Sequence, residues 1–190
     1  MTRTPFLKPE EMSEEQRRVY EDIVRSRGTW LNGPYAPLLQ SPELADKAQA
    51  FGELVRYRTV LPPKLNELAI VCTARHWDSP FEWFQHARIA QREGLSAEVC
   101  HAIANFQPPP FADNDERLIH RFAVELLETH RVCDETYHQA SQRFGTRAVV
   151  ELVAVIGYYS FIAMTLNAHE VSLPPDAGNP LPERPTSPKA

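Results

Sequence analysis

Three side chains that can carry protons lie close together in a stretch that is otherwise largely apolar. Glu67 falls among leucine, isoleucine and valine residues, and Glu82 and His86 follow a Ser-Pro break, four positions apart. A carboxylate that packs into an apolar helix loses its hydration and must meet a partner or hold a proton. Histidine is the side chain that exchanges protons near neutral pH. The stretch therefore predicts proton-transfer chemistry by Glu67, Glu82 and His86.

Ser79, Glu82 and His86 have the spacing i, i+3, i+7, which places them along one face of a single helix. In that arrangement Glu82 can orient His86 or share a proton with it. His86 would then act as the general acid or base, and Glu67 on the preceding helix would serve as a relay.

Purely structural interpretations of these residues remain open. Glu67 could pair with Arg75, two helical turns further on. Glu82 and His86 could form an ordinary surface pair, worth about 0.2–0.5 kcal/mol. A metal site is a third interpretation, because glutamate and histidine are ligand types, but a lone Glu-x-x-x-His pattern without HExxH is weak. We expect no metal at this site.

The elements that must position these side chains are predicted to be helices. Apolar residues recur at spacings of three and four, and almost no stretch alternates apolar and polar residues. A helix from Lys64 to about Trp77 is apolar nearly all round and should be central, and Ser79-Pro80 begins the next one, which ends at Gly94. The fold class is all-α, a compact helical bundle. Further helices are predicted at 13–26, from Ser41 to before Leu61, at 96–105, from Asn114 or Asp115, from Asp134 to Phe144, and from Gly145 to near His169.

The apolar segment from Ala148 to Asn167 is long enough to be mistaken for a membrane span. It contains Glu151 and Gly157 and has no flanking basic cluster, which favours a buried core or oligomer-interface helix. We therefore predict one helical domain at 1–172. A proline-rich tail at 173–190 should drape over a neighbour or be mobile.

Composition narrows the class of protein. A chain of 190 residues can bury a sizeable core without disulfides. Its net charge of -5 provides no basic field for nucleic acid. The three cysteines have no CxxC or zinc spacing, and the N-terminus lacks an apolar core of signal-peptide length. We expect a cytoplasmic protein that binds a small-molecule substrate and neither nucleic acid nor membrane.

At these residues the chain resembles the carboxymuconolactone decarboxylase family, which shares its all-helical fold with the alkylhydroperoxidase D-like proteins. The likeness covers about residues 30–170. It is carried by Asn32-Gly33-Pro34-Tyr35, Leu39 to Ala45, Leu61-Pro62-Pro63 through Glu67, Arg75-His76-Trp77, Glu82-Trp83, His86 and Glu93-Gly94-Leu95.

The peroxidase branch of that family has a helix glutamate followed by a Cys-x-x-Cys-x-x-x-His motif. By that spacing Glu67 and His86 match the glutamate and the histidine, whereas Ser79 and Glu82 stand at the two cysteine positions. Serine and glutamate cannot form the disulfide through which thiol peroxidases cycle, nor is a hydroxyl oxidised by peroxide as a thiolate is. A thiol peroxidase is therefore disfavoured.

The resemblance implies instead the decarboxylase-type branch, whose named reaction is loss of carbon dioxide from a carboxylated lactone in aromatic catabolism. That lyase reaction needs no cofactor in principle, because the electrons left by carbon dioxide flow into a conjugated carbonyl. The site must bind the carboxylate, stabilise the enolate-like charge and supply a proton. We expect His86 to supply it, oriented by Glu82, with Glu67 as a relay.

Substrate-binding residues are expected around this centre. Arg58 or Arg56 could clamp a carboxylate, although surface solvation is the alternative for either. Tyr35 could line the mouth of the site, Trp83 could form an apolar wall or simply pack in the core, and Ser79 lies on the face of Glu82 and His86.

The resemblance also implies a homo-oligomer, because family members form trimers or dimers of trimers with sites near subunit contacts. A second function class stays open. The chain could be a non-catalytic or merely ligand-binding relative that kept the scaffold after losing the cysteines.

Overall fold

The computed structural model describes residues 2–27, 33–111, 113–175, 177–178 and 180–184. Across these ranges the chain forms a short 3-10 helix at Pro9–Glu11 and nine α-helices, with no strand. The all-α prediction is confirmed. The helices are α1 (Glu14–Arg27), α2 (Tyr35–Leu38), α3 (Pro42–Tyr57), α4 (Pro63–His76), α5 (Pro80–Arg92), α6 (Ala97–Ala104), α7 (Asn114–Thr129), α8 (Asp134–Phe144) and α9 (Thr146–Ala168).

Proline and cap residues set most helix starts. Pro42, Pro63 and Pro80 each occupy the first position of a helix, where a missing N–H costs nothing. The Ser96 hydroxyl accepts a hydrogen bond from the Val99 N–H at the start of α6. These signals explain why the predicted starts lie close to the observed ones.

The helix α2 was not predicted. The sequence predicts a turn at Asn32-Gly33-Pro34-Tyr35, of which Tyr35 alone belongs to α2, and Asn32 lies outside the described residues. It is a single turn of four residues, all buried, that begins directly after Pro34. A segment this short shows no helical periodicity, so burial rather than sequence pattern stabilises it.

The central position predicted for α4 is confirmed. Every residue from Leu65 to Arg75 is buried, and α4 packs against α5, α6, α7 and α9. The helix α9 is long and apolar enough to cross a membrane by length and composition. However, 50 % of its most apolar 18-residue stretch is buried within the domain. It packs against α3, α4, α5 and α8, as a core helix does.

Helices α3 and α9 expose several large apolar side chains in the part of the chain that the structure describes. On α3, Ala48 and Val55 are buried whereas Leu44, Phe51 and Leu54 are exposed. Helix α9, which packs beside α3, adds further exposed apolar side chains, namely Val150, Val153 and Met164. Apolar faces of this kind commonly mark interaction surfaces.

Part of the proline-rich tail packs on its own chain, rather than only on a neighbour. Leu181 is buried in the core cluster. The Pro182 carbonyl accepts a hydrogen bond of 2.8 Å from Nη1 of Arg75 on α4.

Candidate active site

Glu67 and His86 form a buried hydrogen bond between two helices. Oε2 of Glu67 lies 2.7 Å from Nδ1 of His86, and each residue is about 95 % shielded from solvent, with exposures of 5 % and 4 %. The bond is possible because α4 and α5 pack closely side by side. It fixes the ring and places the second ring nitrogen, Nε2, away from α4. Glu67 therefore pairs with His86, whereas Arg75 contacts Asp78 and the tail.

Glu82 lies on the other side of the imidazole ring. Its Oε2 is 3.6 Å from Nε2 of His86, which is longer than a hydrogen bond, and it has no hydrogen-bond partner among the described residues. The ring of Tyr159 meets the His86 ring edge to face, with centroids 4.8 Å apart. Both His86 and Glu82 are buried, so they are not the surface pair of the alternative interpretation.

This geometry assigns the two carboxyl groups differently from the sequence hypothesis. Glu67, expected as a relay, makes the short bond that orients His86. Glu82, expected to orient the ring, makes only the longer contact at Nε2. Sequence spacing could not distinguish them, because only the packing of α4 on α5 decides which nitrogen each carboxyl reaches.

Burial raises the pKa of the Glu82 carboxyl, and the charge of Glu67 adds to the increase, while His86 and Arg56 oppose it. A carboxyl with a raised pKa holds its proton closer to neutral pH. Glu82 can therefore act as a buried proton donor beside Nε2 of His86.

Glu82 and His86 open onto a cavity of about 550 Å³ between α3, α5, α9 and the Gly33–Tyr35 turn. Cavities that hold small organic ligands have volumes of about 300–1,000 Å³. Its charged and aromatic lining includes Arg56, Arg88, Arg92, Tyr57, Tyr158 and Tyr159. The cavity thus combines the Glu82 and His86 side chains with cationic groups that can attract an acidic ligand.

Arg56 and Tyr159 are electrostatically linked to the two carboxyl groups. Burial opposes the charge on Arg56, but the acidic groups around it, among them Glu67 and Glu82, outweigh burial and raise its pKa. Burial raises the pKa of the Tyr159 hydroxyl, so that it stays protonated as a potential hydrogen-bond donor. The site therefore presents a fixed cation and a neutral phenol next to the His86 and Glu82 pair.

The other predicted site residues have different placements. Tyr35 lines the cavity, and its hydroxyl lies 3.1 Å from that of Tyr158. Arg58 is exposed, lies 3.4 Å from Glu53, and is not part of the lining, in contrast to Arg56. The structure thus favours Arg56 of the two arginines considered.

Ser79 and Trp83 are buried but do not belong to the cavity lining. The Ser79 carbonyl accepts a hydrogen bond from the Trp83 N–H at the start of α5. The Ser79 hydroxyl has no partner among the described residues. In this structure both residues contribute to the packing that surrounds the site, and their role in substrate binding stays a prediction.

Sequence reasoning missed Arg88, Arg92, Tyr57 and Tyr159. Arg88 and Arg92 are four residues apart on α5, downstream of His86, so their shared helix face was a usable signal. Tyr159 belongs to α9, far along the chain from His86, and no local sequence pattern predicts the contact between their rings.

None of the three cysteines lines this cavity. Cys72 and Cys100 are buried, Cys133 is exposed, and all three are free. Burial raises the pKa of the Cys100 thiol to about 11 and that of Cys72 further. Within the described ranges, no group of three or more His, Cys, Asp or Glu side chains is placed to hold a metal ion.

The helix order and packing define the fold of the alkylhydroperoxidase D-like proteins. The chain superposes on the alkylhydroperoxidase D core of a peroxidase-related protein from Ralstonia eutropha JMP134 with a TM-score of 0.75, covering 93 % of this chain and 94 % of that one at 12 % identity. A peroxidase-related protein from Silicibacter sp. TM1040 gives 0.73 at 12 % identity, with coverage of 94 % and 95 %.

A third neighbour is the debrominase Bmp8, solved as a cysteine-to-alanine variant in complex with 2,3,4-tribromopyrrole. It has a TM-score of 0.72 at 16 % identity, and the match covers 93 % of this chain and 94 % of that one. No family profile and no curated protein sequence matches the chain. These likenesses show a shared fold, which agrees with the resemblance found in the sequence.

Proposed function

We propose that this protein is a cofactor-independent acid–base enzyme of the carboxymuconolactone decarboxylase type, a lyase acting on a small carboxylated or lactone-like substrate. One observation carries the proposal. His86 is held between Glu67 at Nδ1 and Glu82 at Nε2, and His86 and Glu82 line a cavity that also contains Arg56.

The proposed reaction assigns one task to each side chain. Arg56 binds a substrate carboxylate or the developing enolate, since guanidinium pairs with such oxygens through charge-assisted hydrogen bonds. The bond between carbon and the departing carboxyl group breaks, and its electron pair passes into a conjugated carbonyl. His86 then protonates the carbon that carried the carboxyl group. Glu82 returns a proton to His86, and solvent water restores Glu82.

The cavity lining supports a small acidic substrate. Arg56, Arg88 and Arg92 supply cationic groups, while Ile89, Ile162 and the tyrosine rings supply apolar surface. The structurally similar debrominase Bmp8 binds 2,3,4-tribromopyrrole, a small aromatic ring. This supports a ligand of similarly small size for the cavity of this protein.

The alternative function is a ligand-binding relative without turnover. It would retain the cavity and Arg56 but would not use the proton pair. Thiol peroxidase activity is disfavoured because Ser79 and Glu82 replace the expected cysteine pair and because no thiol lines the cavity.

We further propose that the protein acts in the cytoplasm as a homo-oligomer, a trimer or hexamer. The exposed apolar side chains of α3 and α9 support this assembly, because a second copy would remove them from water. Analytical ultracentrifugation tests it, and a monomer at micromolar concentration would contradict it.

Turnover can be tested with a panel of carboxylated lactones and carboxylated ring-cleavage products. We expect release of carbon dioxide from at least one of them. In deuterated water, deuterium should appear at the carbon that lost the carboxyl group. Saturable binding to the protein without product formation would favour the ligand-binding alternative.

A further inference from the structure

A second cavity lies on the other side of α4, remote from His86. It has a volume of about 400 Å³ and is bounded by the end of α4, the segment Phe106–Pro109, α7 and the tail residue Arg184. Its volume also falls within the range of about 300–1,000 Å³ that small-ligand sites occupy. The two cavities share no lining residue.

The most unusual group in this cavity is the guanidinium of Arg75, which is only 3 % exposed. Nη1 donates to the Pro182 carbonyl, and Nη2 lies 3.0 Å from a carboxylate oxygen of Asp78. Nε has no hydrogen-bond partner among the described residues. A buried cation with an unused donor is costly, and a negative charge bound close by would offset part of that cost.

Arg184 brings a second guanidinium to the same place. It contacts the Asp78 carboxylate at 3.0 Å and donates to the His76 carbonyl. Both guanidinium groups also lie over the Phe106 ring. The Cζ atom of Arg75 is 4.2 Å and that of Arg184 is 4.7 Å from the ring centroid. Phe106 holds a left-handed backbone conformation, with φ of 54°, which is uncommon for an aromatic residue.

Two histidines also line this cavity, but both are shifted toward their neutral form, so the positive charge there comes from Arg75 and Arg184. Burial lowers the pKa of His120, and burial together with the charge of Arg184 lowers that of His76. Arg75 and Arg184 share one carboxylate, Asp78. Glu128 also lines the cavity and is exposed, so its charge disfavours a ligand that carries two negative charges.

We propose that this cavity is a second ligand site, which takes a small monocarboxylate with an apolar body. The carboxylate lies against the exposed Arg184 guanidinium and close to the buried Arg75, whose positive charge it offsets. The apolar body lies against Ile103, Val124 and Leu127, which line the same cavity. The tail residue Arg184 is therefore part of the site.

The test uses benzoate as the probe and follows the Arg75 and Arg184 Nε–H signals in proton–nitrogen NMR correlation spectra of the full chain. We expect saturable shifts of both signals at millimolar benzoate. Benzamide, which has the same shape without the charge, should leave them unshifted. Absence of a saturable shift, or equal shifts with benzamide, would overturn the proposal.

Two variants make the test specific. Arg184→Gln, an exposed position, should weaken benzoate binding about tenfold, the effect of losing one charge-assisted hydrogen bond, while Arg131→Gln, an exposed arginine outside the cavity, should not. Benzoate could also enter the cavity beside His86, so Arg56→Gln serves as a second control and should leave the Arg75 shifts intact. Unchanged binding in Arg184→Gln would overturn the proposed site.

Discussion

Glu67 and His86 are hydrogen-bonded through Oε2 and Nδ1 at 2.7 Å, although they are 19 residues apart and lie on different helices. The bond joins the central helix α4 to α5 within the core. Because Nδ1 is engaged, Nε2 is the nitrogen available to Glu82 and to a ligand. The position of Glu67 within the core is thus directly connected to the proposed chemistry.

Replacing Glu67 by Gln should reduce kcat by roughly 100-fold, because His86 loses the carboxylate that fixes its orientation and protonation. Effects of this size are typical when a general acid or base is impaired. KM should change little, because Glu67 does not line the cavity. Steady-state kinetics on a substrate found in the panel would measure both. Glu116→Gln is a matched control, since Glu116 is also buried but pairs with Lys64 at 2.7 Å on another side of α4. Equal loss of kcat in both variants would contradict the role of Glu67.

Arg56 and Arg58 provide a paired test of substrate binding. Arg56→Gln should raise KM or the dissociation constant of a carboxylate ligand about tenfold or more, because a charge-assisted hydrogen bond is lost. Arg58→Gln should leave both unchanged, because Arg58 is exposed and pairs with Glu53. Isothermal titration calorimetry would measure the difference, and the reverse order of effects would place the carboxylate at Arg58.

Glu82 should make the unfolding free energy depend on pH in a defined direction. Burial raises its pKa in the folded protein above the ordinary value of the unfolded chain. As pH rises between those two values, the unfolded chain loses the proton first, so the folded state loses stability, and the full penalty is present above the raised pKa. Glu82→Gln cannot ionise and avoids this penalty.

The stability of Glu82→Gln relative to the wild type should therefore increase as pH rises through that window. Urea unfolding at a series of pH values would measure the difference between the two proteins. A difference that stays constant with pH would show that the carboxyl is ionised in the fold as readily as in the unfolded chain. For turnover that needs protonated Glu82, kcat should fall as pH rises through the same pKa.

Asn66 connects the central helix to the end of α3, which carries Arg56. It is 2 % exposed, and its Nδ2 donates to the Val55 carbonyl at 3.0 Å. Asn66→Ala should lower the unfolding free energy by about 1–3 kcal/mol, because a buried carbonyl loses its donor. Asn114→Ala, at the exposed start of α7, should change it by less than about 0.5 kcal/mol. Chemical denaturation measures both, and similar values would contradict this role for Asn66.

The helical architecture could be predicted because its signals are local. Pro42, Pro63 and Pro80 mark helix starts, and the apolar residues from Leu65 onward indicate a central helix. The three proton-carrying residues were also found from local spacing and residue type.

The remaining features of the site depend on contacts between distant segments. Which carboxyl reaches which nitrogen of His86, and the approach of Tyr159 from α9, are decided by helix packing. Arg56 lies in the last turn of α3 and Arg58 directly follows the helix, and the packing of distant segments decides which of the two lines the cavity. Sequence alone could not choose between them.

The most direct measurement of the central claim is carbon dioxide release by the wild type and by His86→Ala on the same panel of carboxylated lactones and ring-cleavage acids. We expect release by the wild type and none above background by His86→Ala, with circular dichroism and sedimentation showing an unchanged fold and assembly. Equal release by His86→Ala, or no release from any compound by the wild type, would contradict proton transfer by His86.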